Sequence, residues 1–119
     1  MAAPNMLSIT QVLGKTAFQA VGTSLTAIVT NSSNSNQLIK INQVMVSNKN
    51  TASAVDFTMD ILRSAVSYPI SSNVSVPAKS TLVAVGKDTA IFLEEGDSLR
   101  CSASSGTDLT AIVSYEQLS

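Results

Sequence analysis

The sequence predicts an all-β protein: a single-domain antiparallel β-sandwich, jelly-roll-like, with about eight strands and an extended N-terminal arm. Three observations predict this fold. Apolar and polar residues alternate with period two in several short runs, which is the pattern of half-buried strands. Turn-forming residues separate these runs at short intervals. Small polar residues are abundant, with 19 Ser, 11 Thr and 8 Asn among 119 residues, and they suit turns and solvent-facing strand positions.

The N-terminal segment, residues 1–14, is predicted to be an arm or a first strand, ahead of a β-sandwich domain over 15–119. It contains apolar residues but no charge before Lys15. An uncharged apolar arm left in water would be an exposed patch. We therefore expect at least residues 2–10 to pair with a neighbouring subunit or another protein. The interface residues expected on this segment are Met6, Leu7, Ile9, Val12 and Leu13.

The middle of the chain contains the clearest strand patterns. Residues 54–62 alternate cleanly, so Phe57 and Met59 are expected to face the core. Residues 37–48 also alternate, but the phase changes near Gln43. Either a bulge lies there, or the second half of the strand is buried on both faces. We favour burial on both faces.

The remaining runs are short strands joined by polar turns. Pro69 has no amide N–H to donate, so the run over 66–70 is expected at a sheet edge or as a loop-like crossing. Residues 104–108 are typical of a hairpin turn between two alternating runs. The other alternating runs are 25–29, 74–76, 99–103 and 109–115, and the other polar turns are 31–37, 48–53, 86–89 and 94–97.

Composition excludes several functional classes. Only 13% of residues are charged and the net charge is −1, whereas a nucleic-acid module needs clustered basic residues. The chain has no His, which removes the commonest acid–base residue and His-dependent triads. The apolar runs are far too short to cross a bilayer. We therefore expect no enzyme activity, no cofactor, no nucleic acid and no membrane among its partners.

The single cysteine and the densest group of carboxylates both favour structural interpretations. Cys101 alternates with apolar neighbours and has no partner cysteine, so a small buried residue is expected rather than a reactive thiol. Glu94, Glu95 and Asp97 surround Gly96. A calcium loop would need more oxygen ligands at set spacings. A turn with solvated charges is therefore expected rather than a metal site.

The other charged residues offer no catalytic set. Asp56 and Asp60 share the polar face of one strand, where solvated charges or a contact between subunits are expected rather than a catalytic pair. Arg63 and Arg100 are the only arginines. A surface salt bridge is the expected role of each, and an interface anchor is the alternative. No catalytic, cofactor-binding or metal residue is predicted.

The order of these segments resembles the small virion structural proteins of tailed bacteriophages, notably those of marine and cyanobacterial phages. The segments that carry the resemblance are 12–14, 39–48, 54–62, 74–77, 91–101 and 112–118. The resemblance implies a β-sandwich that assembles on the particle as a head decoration (cement) protein or as a tail component. Several relatives have a Val-Pro-Ala-Gly turn where this chain has residues 31–37.

The expected function is therefore that of a non-enzymatic virion protein, a decoration protein that binds the outside of the head and stabilises it. Its expected partners are further copies of itself, as a homotrimer, and the major capsid protein or other virion proteins. Its expected location is the phage particle, at the head surface. One alternative is a tail, baseplate or fibre component. A remote alternative is a carbohydrate-binding module, against which the absence of Trp argues.

Overall fold

The computed structural model describes residues 5–106 and 108–119. Within these residues, nine strands form two antiparallel sheets. The strands are β1 (Val12–Ala20), β2 (Thr26–Thr30), β3 (Leu38–Asn48), β4 (Val55–Arg63), β5 (Val66–Val76), β6 (Thr81–Val85), β7 (Ile91–Leu93), β8 (Ser98–Ala103) and β9 (Leu109–Leu118). Short 3-10 turns lie at Met6–Ser8 and Lys87–Thr89. The described residues include no helix of the length and apolar character that crossing a membrane requires.

The strand order is that of a jelly roll, as the sequence predicts. Sheet A has the order β1-β9-β3-β6, and sheet B has the order β2-β8-β4-β5. The short strand β7 is an addition to these eight, and it pairs with the first half of β3. The first and the last strand, β1 and β9, pair along the edge of sheet A.

The core lies between the two sheets and is built from one side-chain phase of each strand. Phe57 and Met59 are both fully buried, which confirms the inward phase predicted for β4. Cys101 is also buried, as expected of a small apolar residue. The other large buried side chains are Val21, Ile41, Val44, Val46, Val55, Val76, Leu93, Leu99, Leu109 and Val113.

The phase change in β3 is a bulge. The register of β3 against β9 shifts between Ile41 and Gln43, which leaves Asn42 as the extra residue. In a regular strand, residues three positions apart face opposite sides. Because of the extra residue, Ile41 and Val44 both face the core. Our favoured interpretation, burial of both faces, is wrong because Gln43 and Met45 remain half-buried on the outer side. One extra residue restores the inward phase without a second covering layer.

The β4–β5 hairpin turns through two residues that both adopt left-handed backbone angles. Ser64 has φ 52° and Ala65 has φ 61°. This matches the two-residue type I′ loop of hairpins, which normally uses Asn-Gly. A left-handed alanine crowds its Cβ against the following carbonyl. Beyond this turn, β5 is the edge strand predicted from Pro69, and it continues unbroken through the separate run predicted at 74–76.

Replacing Ser64-Ala65 by Asn-Gly should raise the free energy of unfolding by about 1 kcal/mol, because both new residues tolerate the left-handed region. The midpoint of thermal unfolding should rise by about 4 °C. The matched control is Ala54→Gly, at an exposed position outside the left-handed region. That glycine should lower stability, since it only frees the unfolded chain. An unchanged or lower midpoint for the Asn-Gly variant would contradict the assigned turn geometry.

Candidate functional site

The carboxylates of the β7–β8 turn form hydrogen bonds and ion pairs with other residues of the chain. Asp97 is 1% exposed and accepts hydrogen bonds from Arg63 Nε at 2.8 Å and Nη2 at 2.5 Å. Glu94 accepts from the same guanidinium at 2.9 Å. Glu95 is buried and accepts from the backbone N–H of Asn36 at 2.5 Å. The predicted turn is present, but the expectation that its charges are solvated is wrong for Asp97 and Glu95.

This turn borders a polar depression of about 250 Å³ lined by Arg63, Ser64, Glu94, Glu95 and Asp97. The hydrogen bond between Arg63 and Asp97 is the main cause of the raised pKa of Arg63, so this guanidinium stays charged. Among the residues that the structure describes, no cluster of three or more Asp, Glu, Cys or His side chains could hold a metal ion. The charged groups that line the depression are thus engaged in hydrogen bonds and ion pairs within the chain.

Asp60 and Arg100 form a second internal ion pair, on the outer side of sheet B. They face each other in the β4–β8 register, with Arg100 Nε 2.9 Å from Oδ1 and Nη2 2.5 Å from Oδ2. Ser67 donates a further hydrogen bond to the carboxylate. Burial raises the pKa of Asp60, but the Arg100 and Ser67 hydrogen bonds and the Arg100 charge outweigh it, so the pKa lies below its ordinary value. The expectation of a solvated Asp60 is wrong, while Asp56 is half-buried.

Cys101 has no feature of a reactive thiol. Burial raises the pKa of its thiol to about 11, so the nucleophilic thiolate is scarce at neutral pH. Its Sγ lies 3.1 Å from Oε1 of Gln19 and donates to it. This bond ties β8 to β1 across the core.

The N-terminal segment places its apolar side chains in solvent. Leu7 is 95% exposed, and the turn Met6–Ser8 contains no buried residue. The chain joins the sandwich where the backbone N–H groups of Thr10 and Gln11 both donate to the Ser119 carbonyl at 2.9 Å. Of the predicted interface residues, Met6, Leu7, Val12 and Leu13 are exposed and Ile9 is half-buried. Val12 and Leu13 belong to β1, and residues 2–4 of the predicted pairing segment lie outside the described residues.

The outer face of sheet A carries a second apolar surface. Strand register aligns four apolar side chains across β1, β9, β3 and β6, and we name them the apolar row: Phe18, Ile112, Met45 and Val83. Phe18 is 69% exposed and Val83 is 52% exposed. Of the sheet A strand residues in the outward phase, only Lys40 and Glu116 are charged, and they lie 4.0 Å apart as a pair. The face therefore exposes a row of apolar side chains among uncharged polar ones and is nearly free of net charge.

Sequence reasoning missed the apolar row because its members come from four separate strands. No single run shows it, and only the register of β1 on β9 and of β9 on β3 aligns Phe18 with Met45. The available signal was weak. Residues 12–20 lack a clean alternation, which indicates that apolar side chains occupy both phases of the strand.

The N-terminal segment and the outer face of sheet A both expose apolar side chains, and the charged side chains of Arg63, Asp97, Asp60 and Arg100 are engaged in internal pairs. Comparisons of this chain with protein-family models, with curated proteins and with solved structures found no match.

Proposed function

We propose that this chain is a non-enzymatic structural protein of a phage particle, a decoration protein that binds the outside of the head and stabilises the shell. The exposed, nearly uncharged surface formed by the N-terminal segment and the outer face of sheet A carries the proposal. Depletion of charge is typical of the cores of protein interfaces. The sequence resemblance to virion proteins supplies the class of partner, the major capsid protein, and self-association is part of the proposal.

The distribution of charge supports binding through apolar contact and main-chain hydrogen bonds. Asp60 and Arg100 neutralise each other, as do Asp97 and Arg63. The whole chain carries a net charge of only −1, so little net charge is available to steer a partner over long distances. Binding to the particle should change little between low and moderate salt, unlike the binding of a protein that reads a charged surface.

Deleting residues 2–10 should leave a folded, soluble domain that no longer binds the head. The described part of this segment includes the exposed turn Met6–Ser8, and the truncated chain keeps the hydrogen bonds between Gln11 and Ser119. Circular dichroism and thermal unfolding test the fold, and co-sedimentation with heads that lack the protein tests binding. Two single variants of exposed leucines form a matched pair: Leu7→Ser should weaken binding, and Leu25→Ser in the β1–β2 connection should not.

Two results of the same experiment would contradict this account of attachment. Unfolding of the truncated chain would make the segment an internal part of the fold. Undiminished binding by a folded truncated chain would place attachment elsewhere. Binding to purified tails instead of heads would favour the alternative, a tail, baseplate or fibre component.

A further inference from the structure

We propose that two copies of this chain pair antiparallel along the free edge of β1, so that sheet A continues across a two-fold axis at Thr16. β1 ends the strand order of sheet A, with β9 as its neighbour among the described residues. A bare strand edge offers unpaired N–H and C=O groups to another strand. This proposal stands apart from the proposed function, because it requires no particular particle or host. It also replaces the homotrimer expected from the sequence resemblance by a two-fold dimer.

The hydrogen-bond phase of β1 shows which groups face the free edge. Gln11 and Ser119 exchange both backbone hydrogen bonds, at 2.9 and 3.0 Å, and Val21 donates to Leu109 at 2.9 Å. The register between these points is unbroken. Because bonded and non-bonded pairs alternate in an antiparallel ladder, the odd-numbered residues bond to β9. The even-numbered residues direct their backbone groups outward: Val12, Gly14, Thr16, Phe18 and Ala20.

This edge carries only one of the devices that normally block pairing, a single charge. Natural edge strands are protected by proline, bulges, charges or short length. The edge strand β5 contains Pro69 and two register shifts against its neighbour. The edge strand β2 has five residues and a register shift, and β6 and β7 have five and three residues. β1 has nine residues, no proline, no register shift, and one charge, at Lys15.

A register centred on Thr16 uses all of the outward-facing groups. It pairs Thr16 with Thr16 of the second copy, and Gly14 with Phe18 of the second copy. It also places Lys15 opposite Ala17 of the second copy, so no two lysines face each other directly. Every outward N–H and C=O from Val12 to Ala20 then has a partner.

In this register, the exposed ring of Phe18 in one copy lies opposite Gly14 of the other copy. Glycine weakens a strand interior, yet Gly14 lies outside the left-handed region and a Cβ there would meet nothing within 4 Å. Nothing among the described residues of one chain therefore requires glycine at this position. Phe18 is 69% exposed, and across the two-fold axis its ring would lie over the bare backbone of Gly14. Aromatic residues that cover edge glycines are a known device for stabilising strand pairs.

Disulfide trapping tests the register directly. The Cα atoms of a bonded antiparallel pair lie about 5.5 Å apart, which is within disulfide range. Thr16→Cys should therefore form a disulfide-linked dimer under mild oxidation. The native Cys101 is buried and should not compete for the cross-link. Ala20→Cys is the matched control on the same strand phase. Its thiol would lie opposite Val12 of the second copy and should not cross-link, so equal cross-linking of the two variants, or none, would overturn the proposal.

Light scattering after size-exclusion chromatography gives a second, independent test. At about 0.1 mM the wild-type protein should have twice the chain mass of 12.4 kDa, because a two-fold contact closes as a dimer. Gly14→Val favours strand structure but places a side chain under Phe18 of the second copy. It should keep the monomer's thermal stability and weaken dimerisation by about tenfold or more. A monomeric or trimeric wild-type protein, or an unaffected Gly14→Val dimer, would contradict the pairing.

Discussion

Replacing Phe57 by alanine should lower the free energy of unfolding by about 3–5 kcal/mol. Phe57 is a fully buried residue of β4. Truncation removes its apolar surface from the core and leaves a cavity between the sheets, which close-packed neighbours fill only partly. Chemical denaturation, monitored by circular dichroism, measures the loss.

The matched control is Phe18→Ala, studied at low protein concentration where association is negligible. Phe18 is 69% exposed on the outer face of sheet A, so its removal should cost less than about 1 kcal/mol. A loss below about 1 kcal/mol for Phe57→Ala would instead place that ring at the surface. The inward phase assigned to β4, and with it the sandwich core, would then be wrong.

Replacing Arg100 by methionine should cost about 3 kcal/mol at neutral pH. Asp60 is 1% exposed, and removing its guanidinium partner leaves a buried carboxylate without compensating charge. The double variant Asp60→Leu/Arg100→Met should recover most of the loss, since an apolar pair can replace a buried ion pair at little cost. The control Lys40→Met, in an exposed pair, should cost less than about 1 kcal/mol.

The stability cost of Arg100→Met should depend on pH in a defined direction. The pKa of Asp60 in the folded protein lies below its ordinary value. The ion pair therefore contributes fully above the ordinary carboxyl pKa of about 4, and its contribution is lost as the pH falls through the lowered value. The difference between wild type and Arg100→Met should be largest near neutral pH and should shrink on acidification. A constant difference from pH 7 to about pH 3 would contradict the role assigned to this pair.

Local patterns predicted the parts of the fold that depend on one segment. The alternation in β4 placed Phe57 and Met59 correctly, and Pro69 placed β5 at an edge, because side-chain phase and a missing N–H are properties of a single strand. The turn around Gly96 was also correct, since Gly96 has φ 90°. Burial of its neighbour Asp97 was not predicted, because that depends on Arg63, which is 34 positions away in the chain.

Patterns within a single strand cannot predict features that depend on the register between neighbouring strands. The pair Asp60–Arg100 spans 40 positions and forms because β4 and β8 align in one register. The phase change near Gln43 is compatible with either a bulge or burial on both faces, and only the register of β3 on β9 separates the two. The apolar row from Phe18 to Val83 and the outward edge of β1 likewise require the neighbouring strands to be in place.

Cryo-electron microscopy of purified virions from the source of this chain tests the proposed function most directly. We expect nine-stranded sandwich density at regular sites on the outer surface of the head, with the N-terminal segment against the capsid protein. Particles that lack the chain, or density for it confined to the tail, would contradict the assignment as a head decoration protein.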